Sequence, residues 1–214
     1  MKKKADLTAK QLVTIIILIV SFSVILLFFF NLNLGKETDV EICRTSVVQK
    51  SKGIFGDLGI QYKCKTQDVS IPNLESNKVY EELLKLQEDC FWMFGEGKID
   101  LGDRVCAICS VIEFEGNEVI NQENYFKYLE SKNVEGESFN YLYYFYGEHY
   151  WSSLKKKWED GGAIPKKGVP EFDVSKKYMV FYSYVEKEIF DIGISPYRAE
   201  NIEKLNCKEF ATSA

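Results

Sequence analysis

Six cysteines, Cys43, Cys64, Cys90, Cys106, Cys109 and Cys207, are the residues of this 214-residue chain whose type and spacing suit chemistry. Cys106 and Cys109 form a C-x-x-C, and the stretch from Cys90 to Phe114 holds three of the six. Such a set suits a redox pair, a metal site or structural disulfides. A thioredoxin-like pair sits at the start of a helix, whose N-terminus lowers the thiol pKa. Here Cys106-Ala107-Ile108-Cys109 leads into Ser110-Val111-Ile112-Glu113-Phe114, which is strand material. Residues three apart in a strand are about 10 Å apart and face opposite sides. A disulfide needs Cα atoms closer than about 7 Å. Cys106 and Cys109 are therefore expected to pair with different, distant cysteines. A zinc site needs four converging ligands, most often two such pairs. This chain has one pair, scattered single cysteines and one histidine, His149. Structural disulfides are the expectation, with metal and redox chemistry as the alternatives.

Other chemistry is thin. His149, beside Tyr150 and Trp151, reads as a surface or packed residue. Glu81-Glu82 and Glu186/Glu188 read as solvated carboxylates of an acidic domain. There is no G-x-S-x-G, P-loop or H-E-x-x-H. Gly95-Glu96-Gly97 reads as a helix stop. No catalytic residue, cofactor site or metal site is assigned. The tyrosine-rich run 141–150 suits a sugar or peptide platform, although tyrosine is also an ordinary half-buried strand residue.

The compartment follows from the N-terminus. Residues 12–30, LVTIIILIVSFSVILLFFF, carry no charge. As a helix they span about 28 Å, the thickness of a bilayer's hydrocarbon core. Lys2, Lys3, Lys4 and Lys10 precede them, which predicts a cytoplasmic N-terminus and an external C-terminal domain. The run ends in Phe28-Phe29-Phe30-Asn31-Leu32, without a small-x-small cleavage site, so an uncleaved signal anchor is expected. A pilin-type signal would cleave at Lys4-Ala5, but its usual acidic position is Lys10. Residues 1–10 hold four of the 27 Lys+Arg and one of the 32 Asp+Glu. The remainder has 23 against 31, a net −8 that argues against a nucleic-acid partner. All six cysteines follow the apolar run, as expected on the oxidising side of a membrane.

The elements that position the cysteines come next. Residues 41–48 (EICRTSVV) and 60–70 (IQYKCKTQDVS) read as strands about a glycine-rich turn, bringing Cys43 opposite Cys64. Residues 76–94 read as a helix capped by Ser76 or Asn77 and stopped by Gly95. Its apolar face is Val79, Leu83, Leu86, Cys90 and Phe94. Residues 105–120 read as a hairpin, followed by a helix, QENYFKYLES, capped by Asn121. Strands are expected at 139–146 and 177–187, and helices at 150–160 and near 198–206. Strict alternation puts Cys106 with Ile108, Ser110, Ile112 and Phe114 on the more apolar face, which predicts Cys90–Cys106 and leaves Cys109 for Cys207.

The helix end CFWMFGEG and the strand CAICSVIEF, after a single apolar span, resemble an uncharacterised group of archaeal single-pass membrane proteins. The resemblance covers roughly residues 1–115 and implies an architecture and a location, with no catalytic residues.

The expected fold class is α+β, with one N-terminal transmembrane helix. A disulfide-stapled, mainly antiparallel sheet domain with two or three helices follows it. The expected organisation is a cytoplasmic stub (1–11), a transmembrane helix (12–30), a tether (31–40) and an extracytoplasmic domain (41–214). The expected location is the cell membrane, and the expected role is structural or recognition work at the cell surface. The bilayer would be met through residues 12–30, and an envelope protein or a glycan would be the partner. An envelope thiol–disulfide oxidoreductase and a pilin-like subunit are the alternatives.

Overall fold

The computed structural model describes residues 13–23, 34–51, 61–116, 120–147, 172–186 and 189–213. The helix expected at 150–160, His149 and Glu188 lie outside them. The chain divides into two units, Met1–Thr38 and Asp39–Ala214. In the first, residues 13–23 form helix α1, with Val13, Ile15 to Val20 and Phe22 exposed. The hydroxyls of Ser21 and Ser23 donate to the carbonyls of Ile17 (2.7 Å) and Ile19 (2.8 Å), one turn back. Among the described residues, no helix is long and apolar enough to cross a membrane. Residue 12 and residues 24–30 of the expected span lie outside the described residues.

Helix α2 (Leu34–Ser51) replaces the strand expected at 41–48 and the end of the expected tether. Its inward residues are Val40, Cys43 and Val47, a helical spacing that outweighs the β-branched composition. The Arg44 guanidinium lies 4.1 Å from the centroid of the Trp92 ring and donates to the Trp92 carbonyl. Strands β1 (Cys64–Lys65) and β2 (Gln67–Ile71) follow.

Helix α3 (Ser76–Met93) is the main helix of the domain. Its N-cap is Glu75, without a side-chain cap bond, so neither Ser76 nor Asn77 caps it. Its end follows the chemistry of glycine. Gly95 has φ +78°, a conformation that costs glycine least. Gly95 N–H donates to the Trp92 carbonyl and Glu96 N–H to the Phe91 carbonyl, both at 3.0 Å, forming a Schellman motif. Of the expected apolar face, Val79, Leu83, Cys90 and Phe94 are buried in the core and Leu86 is partly buried against it; Phe91, outside that face, is buried too. Phe94 stacks on Tyr182, with centroids 5.1 Å apart.

The sheet is mixed and mainly antiparallel. Strands β3 (Val105–Phe114), β4 (Tyr178–Glu186) and β5 (Ile189–Pro196) run antiparallel to their neighbours, while β2 pairs parallel with β3. The strand at 105–114 therefore pairs with β2 and β4 rather than closing a hairpin on residue 120; Ile120 bridges Phe172 instead. Strand β6 (Glu209–Phe210) runs parallel to the start of β3. Strand β7 (Thr212–Ser213) pairs parallel with β1. Thr212 Oγ1 accepts from the Ile108 N–H at 2.9 Å, and the Ala211 N–H donates to the Cys106 carbonyl at 2.8 Å. The C-terminal segment is thereby fastened beside β3.

Two further helices pack around α3. Helix α4 (Gln122–Ser131) is capped by Asn121, whose Oδ1 accepts from the Asn124 N–H at 3.2 Å. Residues 141–147 form helix α5 where a strand was expected. Asn140 Oδ1 accepts from the Tyr143 N–H at 2.9 Å, the bond of an N-cap, and Tyr141, Leu142 and Phe145 are buried. Helix α6 (Ala199–Lys204) precedes Cys207. Beyond α1 the described residues thus hold five helices, α2 to α6, where two or three were expected.

Candidate functional site

Cys43 is bonded to Cys64 (Cα–Cα 4.4 Å), Cys90 to Cys109 (5.6 Å) and Cys106 to Cys207 (5.7 Å). Cys106 and Cys109 do not bond to each other, in keeping with the strand between them. The first pair joins as expected, although through a helix and a short strand rather than a hairpin. The other two pairs correct the expected Cys90–Cys106 and Cys109–Cys207 connectivity.

The reason is a β-bulge. Ile108 pairs with Phe181 and Ser110 with Val180, so β3 advances two residues where β4 advances one. Cys109 is the extra residue, and alternation changes phase there. Val105, Ala107 and Cys109 join the core before the bulge, and Ile112 and Phe114 join it afterwards. Cys106 is turned to the opposite face, where its Sγ lies 3.6 Å from the Ser183 hydroxyl. Cys90, on the sheet-facing side of α3, therefore meets Cys109. The tail beside β6 brings Cys207 to Cys106.

Chemically the cysteine set is closed. Among the described residues no cysteine is free, and Cys43, Cys64, Cys90, Cys106 and Cys109 are all buried. Cys207 alone of the six is partly exposed. Exchange chemistry needs an accessible thiolate, which neither Cys106 nor Cys109 presents in this state. No group of three or more His, Cys, Asp or Glu suited to a metal ion occurs among the described residues.

The tyrosine-rich run does not form an outward platform over its described part. Tyr141 and Phe145 lie in the core, and the hydroxyls of Tyr141 and Tyr144 point at α3 and its end. Tyr141 donates to Glu88 Oε1 at 3.2 Å, and Tyr144 to Glu96 Oε1 at 2.9 Å. Burial and the Glu88 carboxylate push the Tyr141 hydroxyl up to about 12. Burial also raises the Tyr144 hydroxyl, with the Glu96 bond adding to it. Burial opposes charge on Glu96, but bonds from Lys98 and Tyr144 outweigh it and hold its carboxyl below the usual range. Glu81, Glu82 and Glu186 are exposed.

Among the described residues, a concave feature with room for a ligand lies between the start of α3 and the outer side of α4. It has a volume of about 400 Å³. Ser76, Asn77 and Tyr80 form one wall; Asn121, Asn124, Lys127, Tyr128 and Ser131 form the other. The α4 residues recur every three or four positions, opposite the buried Tyr125 and Leu129. The sequence signal was available as a polar stripe on QENYFKYLES, but nothing local announces that Tyr80 will stand across from it. Compared with protein-family models, curated proteins and solved structures, the chain matches none.

Proposed function

We propose that the chain is a membrane-anchored domain held outside the cytoplasm, with a structural or recognition role at the cell surface. The observation that carries this reading is the closure of all six cysteines into three bridges, every one of them beyond the apolar stretch. Such bridges persist in oxidising compartments and are rare where thiols are kept reduced. The uncharged run 12–30 and the exposed apolar side chains of α1 support the anchor. The back-bonding of Ser21 and Ser23 satisfies their hydroxyls within the helix, as hydrocarbon requires. The lysines at its start support an inside N-terminus. The resemblance to archaeal single-pass proteins points the same way.

The test is topology and thiol state in intact cells. Protease added outside should digest the region after residue 35, and acid-quenched, alkylated protein should carry no label on any cysteine. Protection of that region, or labelling of several cysteines before reduction, overturns the reading.

A further inference from the structure

We infer that the groove between α3 and α4 binds a short neutral saccharide. This deepens the recognition reading, and rests on it only for the ligand's source, a surface glycan. The floor is aromatic: Tyr80 and Tyr128 stand with ring centroids 5.7 Å apart, tilted by 47°. Tyr80 is fixed there, since its hydroxyl donates to the Asn121 carbonyl at 3.2 Å. The rim is amide, supplied by Asn77, Asn121 and Asn124. Lys127 is the one lining residue that carries a formal charge, and it is already paired with Glu123 at 2.8 Å.

Each property selects against a class of ligand. A phosphate or a polyanion needs several converging cations; the lining offers Lys127, already paired with Glu123, and Lys132 stands over the Tyr128 ring, 5.4 Å from its centroid. A peptide docks on a sheet edge or seats an apolar anchor; this groove has two helical walls and no such pocket. A hydrophobic ligand would leave the amides unpaired. A pyranose satisfies both surfaces. Its hydroxyls exchange hydrogen bonds with carboxamides, which donate and accept at one site. Its C–H face lies on the half-buried Tyr128 ring, which combines an apolar body with a polar tip and is supported by the buried Tyr80 ring. The volume falls within the range of small-molecule sites, roughly 300–1,000 Å³. Tyr80, held in place before binding by its bond to the Asn121 carbonyl, reduces the ordering cost.

The test uses the full chain in a detergent without a sugar headgroup, titrated calorimetrically with mannotriose, cellotriose and chitotriose. Trigalacturonate and triglycine serve as the anionic and peptide comparisons. At least one neutral trisaccharide should bind saturably, and Asn77→Ala and Asn124→Ala should each weaken it about tenfold with unchanged melting curves. The inference is overturned by no saturable heat from any neutral probe, by binding that both variants leave intact, or by tighter binding of trigalacturonate or triglycine. Because the chain is out of the membrane, a failed topology experiment leaves this result standing, and the reverse also holds.

Discussion

Cys109 reaches Cys90 across the helix–sheet interface, with Cα atoms 5.6 Å apart, because it shares the α3-covered face with Val105 and Ala107, and the bulge between Ile108 and Ser110 brings Ile112 and Phe114 onto that same face. The two sulfurs close the sheet onto the last turn of α3, beside the Schellman motif. Cys90→Ser should therefore release one thiol, at Cys109 and not at Cys106. Alkylation of the folded protein in mild denaturant, followed by peptide mass mapping, reads the position of the label. Label on Cys106 would mean that this shared face does not set the pairing. In the chain-entropy model the lost bridge, closing a 19-residue separation, costs about 3 kcal/mol.

The Cys106–Cys207 bridge spans 101 residues and holds the C-terminal segment beside β3. The same model gives about 4.7 kcal/mol for a loop near that length, against about 3 kcal/mol for either short one. Cys106→Ala/Cys207→Ala should therefore lower the urea midpoint more than Cys43→Ala/Cys64→Ala does. It should also lose amide-exchange protection at Ala211 and Ile108 before the rest of β3. An equal loss for the two double variants would show that native packing, rather than loop closure, governs their contribution.

Gly95 and Gly102 both hold positive φ, +78° and +94°, but their surroundings differ. A Cβ on Gly95 would overlap the Ile99 side chain; one on Gly102 meets nothing within 4 Å. Gly102→Ala should carry backbone strain alone, about 1 kcal/mol, while Gly95→Ala should cost at least about 2 kcal/mol. Trimming the neighbour in Gly95→Ala/Ile99→Ala should be less than additive in denaturant melts. Full additivity would remove the steric account of why the helix stops there.

These residues also mark how far the sequence could be read. Helices α3 and α4 and strand β4 were legible because their signals are local: apolar residues at helical spacing, Asn121 at a cap, a glycine stop, a β-branched aromatic run. The cysteine set announced its disulfides. Their connectivity was hidden because a bulge is a property of pairing with β4, far along the chain, and one extra residue inverts every face after it. Helix α2 was missed because β-branched residues around Cys43 masked a Val40, Cys43, Val47 stripe. Helix α5 is hidden because an aromatic run reads as a strand even though its aromatics occupy both faces, while its start is marked only by Asn140, the cap. Strand β5 gave no separate signal, and the groove needed two helices brought together by the core.

Glu88 supplies the last prediction. Burial holds its carboxyl above the usual 4.5; the Tyr141 hydrogen bond works against this, while Asp89 and Glu135 add to it. The folded state thus binds this proton more tightly than the unfolded one. Its contribution is fully favourable below 4.5 and is lost as pH rises through the folded value. Glu88→Gln keeps an acceptor for Tyr141 and removes the charge. The variant should melt higher than the parent at neutral pH, by the equivalent of less than about 1 kcal/mol, because the half-buried site is screened. Below pH 4.5 the two should melt together. Exposed Asp173 behaves in the opposite sense. Bonds from Lys176 and Ser175 hold it at about 2, so Asp173→Asn should lower the neutral melting point and change nothing in strong acid. Calorimetric scans across this range separate the cases. A shift of Glu88→Gln that stays the same at every pH would assign its effect to packing rather than to a desolvated charge.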